Sequence, residues 1–439
     1  MHETELIYCI HRNLDDGTHI LHPHRHLLLS PSDAADARFV PAHPSFRVIA
    51  IGAPVPPYTG YPLDPPFRSR FQARFLDPTS ALLAYPHSSI PPSGASADLW
   101  TTLRDLVLAT QYASEARHAL DGVARPALPP FPHTALAKLH ALLTAFPPPI
   151  PGNPPLSRRA MGRLMIVLHP ELLHAPFRAW ALLSERLEEA GLGPLDAPVA
   201  MEDPDNARED AAGLLGYTVR SIARTGPHTV RIVFTALNGA DEVALEAPAG
   251  EGPLQSFPLE ETPDFVPSER FLGLLTSCLQ AHALGWDISL VPPAQPATAS
   301  SSTSLLVQTF GSVLGYVREV VHVYKELGGR ELLMRRVVGE GGATSWEPRY
   351  ALPSPESRFI IDSLREFVVG ARSPLVQGAW AGRLVHFSGL DVLGPTAGAV
   401  ARLLQDREIE LWEGRRIVAS FGDDGPVRPD IFTLSRFFD

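Results

Sequence analysis

Four histidines, His19, His22, His24 and His26, form the densest run of metal-capable side chains in the sequence. Zinc needs three or four donors converging on one point. This spacing gives no pair on a helix face with a third acid nearby, and His22-Pro23-His24 interrupts regular structure. The expectation is a loop of exposed, titratable histidines and no metal. Two cysteines, Cys9 and Cys278, cannot make a disulfide framework or a thiolate zinc site. They read as small apolar core residues in a reducing compartment. No G-x-S-x-G elbow supports an activated serine, and no G-x-x-x-x-G-K-[ST] loop supports phosphate binding. Three sets of residues remain. Arg68 and Arg70 stand in Arg-Ser-Arg-Phe. Hydroxyls crowd the stretch from Thr298 to Ser304. Ser388 is followed by Gly389 and, three residues on, by Asp391.

The elements that must carry these residues are legible in outline. The chain has 439 residues, 45% hydrophobic and 19% charged, which fits two to four globular units. A formal net charge of -11 argues against nucleic acid or an anionic membrane as the main partner. No apolar run reaches the roughly 20 residues that span a bilayer, and the first residues form neither a signal nor a transit peptide. Leu14 to Thr18 reads as a hairpin turn, and residues 46–52 as a buried strand closed by Gly52. Apolar spacing near 3.6 predicts helices over 98–120, 134–146 and 158–190, the last divided by Pro170 and Pro176. Residues 198–215 read as a polar linker. Period two follows from 216, with Asn238-Gly239 turning a hairpin between 229–237 and 242–246. A helix follows Ser268 as far as Ala283. Strands are expected over 286–291, 317–324 and 383–387, and helices over 305–314, 329–337 and 395–405. Residues 292–304 read as a flexible low-complexity segment, and the arginines at 330 and 335–336 as a solvated helix face. A second hairpin spans 409–418. Its Glu410 to Gly414 echoes Asn13 to Gly17, which as a shared landmark would mark a tandem repeat.

The stretch from His43 to Gln72 resembles the sensor-1 strand and arginine-finger helix of dynein-related AAA+ ATPases. The likeness is to the branch that ends in a von Willebrand factor A domain. Further landmarks follow in the family's order: Phe265 to Phe271, Leu314-Gly315-Tyr316, Thr344-Ser345-Trp346 and Ser373 to Val376. The resemblance implies an α/β fold with two incomplete AAA+ modules. Residues 1–80 would be the C-terminal part of a first core and 81–200 its helical lid. Residues 201–270 would be a linker with a β-hairpin, and 271–439 the N-terminal part of a second, degenerate core. On this layout the chain starts after the first phosphate loop and ends before the second finger. No von Willebrand A domain is expected.

In the family, ATP and Mg²⁺ are held by a glycine-rich loop with a lysine and by an acid at the end of a buried strand. A neighbour lends an arginine that stabilises transition-state charge. Carried over, Arg70 is the finger, with Arg68 in reserve. Sensor 1 departs from the pattern, since Ile51-Gly52-Ala53 offers no polar side chain. The phosphate loop falls on Thr298 to Ser304, with Ser302 inside it, Thr303 at the lysine position and Ser304 at the Ser/Thr position. Ser388 takes the place of the acid, and Asp391 reads as a turn or cap residue. The expectation is a pseudo-ATPase that offers a finger to other AAA+ subunits or to remaining modules of the same protein, its own site empty. The alternative is a non-catalytic scaffold using the AAA fold. The resemblance implies an intracellular, mitochondrial setting.

Overall fold

The computed structural model describes residues 18–22, 25–28, 39–41, 95–121, 128–129, 131–132, 134–148, 156–195, 211–239, 241–261, 265–290, 296–324, 327, 329–338, 344–348, 373–389, 400, 403–404, 407–410, 416–418 and 431–433. The chain divides into two compact units. One holds residues 1–90 and 104–131, the other 91–103 and 132–439.

In the first unit, β1 (Thr18–His22) and β2 (Arg25–Leu28) form a hairpin that reverses between His22 and Arg25. Strand β3 (Phe39–Pro41) lies parallel to β2. The expected turn at 14–17 lies outside the described residues, as does the expected strand at 46–52. Helix α1 (Ala95–Asp121) contributes residues to both units.

The second unit begins with helices that follow from apolar spacing. Helix α2 (Ala135–Ala145) buries Leu136, Leu139, Leu142 and Leu143, a stripe at three- and four-residue steps. Helix α3 (Arg158–Leu168) buries Met161, Leu164, Met165 and Leu168, and Ser157 caps it by accepting the Ala160 amide. The two prolines divide the next stretch as expected. Pro170 opens a short 3₁₀ turn, and Pro176 precedes helix α4 (Phe177–Glu189). The Trp180 indole N–H donates to the Leu172 carbonyl at 2.9 Å, which fastens α4 to that turn.

Next comes a three-stranded antiparallel sheet in sequence order: β4 (Tyr217–Gly226), β5 (Thr229–Ala236) and β6 (Glu242–Pro248). Val230, Ile232, Phe234 and Ala236 alternate inward along β5. Outward, Arg220 pairs with Glu242 and Arg231 with Glu246. The sheet meets the helices through aromatic edges: Phe146 stands 5.4 Å from Tyr217 and 5.0 Å from Phe234. The Tyr217 hydroxyl donates to the Pro147 carbonyl at 2.7 Å.

Helix α5 (Glu269–Ala283), capped by Ser268, is tied to the start of the sheet by Gln280. The Gln280 side chain accepts the Leu214 amide at 2.6 Å and donates to the Leu214 carbonyl at 3.0 Å, fully buried. Here the structure departs from the sequence reading. Residues 286–290 form no strand. Asp287 instead turns outward to Arg407, and Ile288 is exposed. Helix α6 (Pro296–Val313) starts nine residues before the expected Leu305 and absorbs most of the stretch read as flexible. A first-turn proline costs no intrahelical hydrogen bond, so Pro296 is a suitable start.

Strand β7 (Arg318–His322) follows. The helix expected over 329–337 is a 3₁₀ turn, Gly329–Leu332, leading into β8 (Met334–Val338). β8 pairs antiparallel with β9 (Thr344–Pro348). Val337 and Val338 suit a strand, and pairing with β9 outweighs the local helical spacing. Helix α7 (Pro374–Ala381), capped by Ser373, precedes β10 (Leu384–Ser388). Strands β11 (Glu408–Glu410) and β12 (Arg416–Val418) make the expected second hairpin, and β13 (Ile431–Thr433) runs parallel to β12.

The sheets β1–β2–β3 and β11–β12–β13 share one topology: a hairpin, then a third strand parallel to the second. A shift of 390 residues carries the pair Thr18↔Leu28 onto Glu408↔Val418. The residues of the sequence echo, Asn13 to Gly17 and Leu411 to Gly414, lie outside the described residues.

Candidate functional site

Strands β7 and β10 pair in parallel, Leu384 opposite Arg318 through to Ser388 opposite His322. A parallel pair needs cover on both faces, and two glycines show where it comes. A Cβ at Gly311 in α6 would stand 3.3 Å from the Leu384 side chain, and one at Gly378 in α7 would collide with Val385. Successive side chains point to opposite faces, so α6 touches the Leu384 face at Gly311 and α7 packs on the Val385 face. Val321, Val385 and Phe387 join the core beneath α7, with Leu375, Val376 and Ala379. A parallel pair with helices beside it is compatible with an α/β fold, in which ligands characteristically bind outside the carboxyl ends of the strands.

At that end of β10 stands Ser388, half-buried, its carbonyl accepting the Val323 amide at 2.8 Å. Gly389 follows at φ 85°, where a Cβ would come within 2.9 Å of the Val323 carbonyl oxygen. The backbone therefore turns tightly at the position that the resemblance assigns to the Mg²⁺-organising acid. A serine hydroxyl is a poor substitute for a carboxylate toward that hard cation.

Thr298, Ser302, Thr303 and Ser304 all stand in helix α6, Ser304 exposed. Only the first four amides of a helix lack an intrahelical acceptor. That leaves the Thr298 amide in the free turn and commits those of Ser302, Thr303 and Ser304 to the helix. Residues 292–304 contain no lysine and no glycine. These groups do not fit a Mg²⁺-bound triphosphate.

The other end of α6 is held firmly. Gly250, Gly252 and Gln255 donate backbone N–H groups to the carbonyls of Leu314, Gly315 and Ser312, at 3.0, 2.9 and 2.9 Å. Arg224 clamps the same loop, donating to the carbonyls of Gly250 and Gly252 at 2.9 and 2.6 Å. Gly315 has φ 70° and abuts Gly252. His282 is enclosed edge-on by Phe310 and Tyr316, and its Nε2 lies 2.8 Å from the Pro248 carbonyl. Burial holds its pKa below the ordinary 6.5, against the opposing pull of that hydrogen bond. An open cleft lies at this joint, lined by Gly252, Gln255, Ser312 and Tyr316. Burial pushes the nearby Cys278 thiol up to about 12, so it is not a nucleophile at neutral pH.

Arg68, Arg70 and Asp391 lie outside the described residues, as does His24. His19 and His22 lie on β1 and His26 on β2. Among the described residues no three His, Cys, Asp or Glu groups are arranged to hold a metal ion. No described helix is long and apolar enough to cross a membrane. Sequence reasoning missed Arg318 and His386, which share one face of the β7–β10 pair. Their signal was present: charged or titratable residues at alternate positions of otherwise apolar strands.

The chain is similar to von Willebrand factor A domain-containing protein 8 of Mus musculus, 26% identical over 416 residues. The aligned region covers 92% of this chain and 18% of that protein, so the chain spans less than a fifth of its relative's length. No family model matches the chain, and no solved structure matches it significantly.

Proposed function

We propose that this chain is built from two incomplete AAA+ modules of the dynein-related type, the second of which does not hydrolyse ATP. The observation that carries this is a pair of departures from the family pattern. β10 ends on Ser388, the position the resemblance assigns to the acid, and Thr298 to Ser304, the positions it assigns to the phosphate loop, lie in a helix without lysine. Similarity to a von Willebrand factor A domain-containing protein over 92% of the chain supports the assignment. The repeated hairpin-and-parallel-strand sheets, 390 residues apart, support the tandem arrangement. On this reading the chain acts through neighbours. Arg70, with Arg68 beside it, stabilises charge in a site completed by another subunit or module. Such a finger contributes roughly 10³ to 10⁵ in rate in related nucleotide hydrolases.

Equilibrium titration of the full chain with a fluorescent ATP analogue and Mg²⁺, alongside a phosphate-release assay, tests the reading. The expected result is no Mg²⁺-dependent hydrolysis and no micromolar binding of the Mg²⁺ complex. Turnover that Ser388→Ala abolishes would show a working site and overturn it.

A further inference from the structure

The parallel register of β7 and β10 puts Arg318, Val320 and His322 on one face, together with Leu384, His386 and Ser388. The opposite face is largely apolar, and the one acid on it, Glu319, is paired with Arg383. The first face holds an unresolved charge. Nη1 of Arg318 and Nδ1 of His386 are both buried, and neither has a hydrogen-bond partner. A guanidinium does not lose its proton in a protein. Both side chains are half-buried, and an unsatisfied buried polar atom calls for a missing water or ion. Among the described residues nothing on this face supplies a partner. Helix α6 contains no titratable side chain from Pro296 to Val313, and α7, on the far side, contains none either. Among the described residues no acid shares the face. Three basic groups are therefore gathered in a protein whose net charge is -11. They sense one another: His386 is held below its ordinary pKa by burial first, then by Arg318 and His322.

We propose that this face of the β7–β10 pair binds a small oxyanion of the phosphate class without a divalent metal, Arg318 and His386 supplying the principal donors. His322 and the Ser388 hydroxyl stand on the same face at the carboxyl ends of the strands, beyond His386. The arrangement inverts the charge of a metal-assisted phosphate site. Such a site uses an acid to hold a cation that in turn holds phosphate, whereas here the protein's own cations face the anion directly. A cationic face also repels Mg²⁺, which agrees with the loss of the acid. The inference goes beyond the absence of hydrolysis, since a site that cannot turn over ATP need not bind anything.

Isothermal titration of the full chain with inorganic phosphate in EDTA is the test, with sulfate as a probe whose charge is constant from about pH 5.5 to 7.5. Saturable binding is expected, tighter at the lower pH because His386 gains a proton. Arg318→Gln should weaken it roughly tenfold or more, the loss of one charge-assisted pair. His386→Asn, which keeps a neutral donor, should remove most of the pH dependence even if Arg318→Gln fails to fold. Competition by a non-hydrolysable ATP analogue would identify a nucleotide-borne phosphate, and indifference to it a free anion. No saturable binding overturns the proposal, as does binding that both variants leave unchanged. Either failure leaves the hydrolysis reading standing, and Mg²⁺-dependent turnover would overturn that reading alone.

Discussion

Gly315 and Gly239 have almost the same backbone conformation, φ 70° and 71°, and very different surroundings. A Cβ at Gly239 would meet nothing within 4 Å, because the Asn238-Gly239 turn projects from the β5–β6 hairpin. A Cβ at Gly315 would stand 2.5 Å from the Gly252 carbonyl oxygen and 2.8 Å from the Arg224 guanidinium. Alanine at Gly239 therefore bears only the left-handed penalty, about 1–2 kcal/mol. Alanine at Gly315 bears that penalty and breaks the clamp that Arg224 and the 250–255 loop place on the end of α6. Urea unfolding should show Gly315→Ala as clearly the less stable of the two. Equal stabilities would mean that the joint yields without cost. The sequence shows both glycines, but only the fold distinguishes them: Asn-Gly announces a turn by itself, whereas Gly315 matters through residues 60 positions and more away. Arg318 and His386 behave similarly. Each is an ordinary polar residue in a strand until the β7–β10 register puts them on one face.

Elements were legible wherever local pattern and tertiary context agree. The stripes of α2, α3 and α5, the proline break before α4 and the Asn-Gly hairpin all fall close to the predicted positions, because burial in the fold follows their intrinsic period. Disagreement arises where a partner decides. Residues 334–338 carry helical spacing but pair with β9, and 286–290 look like a strand but have no strand beside them. The packing of α6 against α5 and the end of β6 makes one element-scale prediction, through His282. Its pKa is lowered in the fold, so the folded chain keeps the ring neutral where the unfolded chain takes up a proton. Above about pH 6.5 both states are neutral and this contribution to stability is complete. As pH falls below that value the unfolded state gains a proton first, and stability declines until the folded pKa is reached. His282→Gln preserves a donor for the Pro248 carbonyl but does not titrate. Its unfolding free energy should fall less steeply than that of the parent between about pH 6.5 and 5. Parallel slopes would place the acid sensitivity elsewhere, for example at His386.

At the scale of the molecule, the relation that sequence reasoning sensed is the repeat. It matched Asn13–Gly17 to Glu410–Gly414 because both are short acidic turns before a glycine. The strand register aligns Thr18–Leu28 with Glu408–Val418. The two hairpins share almost no identical residues, so only their equal length and equal pairing reveal the correspondence. If they are copies of one structural unit, what has been retained is backbone geometry: an eleven-residue hairpin whose second strand accepts a parallel neighbour. Exchange of the segments tests this directly. A chain carrying residues 408–418 in place of 18–28 should fold cooperatively, with a melting temperature within a few degrees of the parent, because the register with β3 is set by length. The same insertion lengthened by one residue should be far worse. A one-residue slip turns every side chain of the second strand to the opposite face of the sheet. If both chimeras melt alike, the shared topology is coincidental and the tandem reading loses its structural support. If only the in-register chimera survives, the hairpins are interchangeable parts.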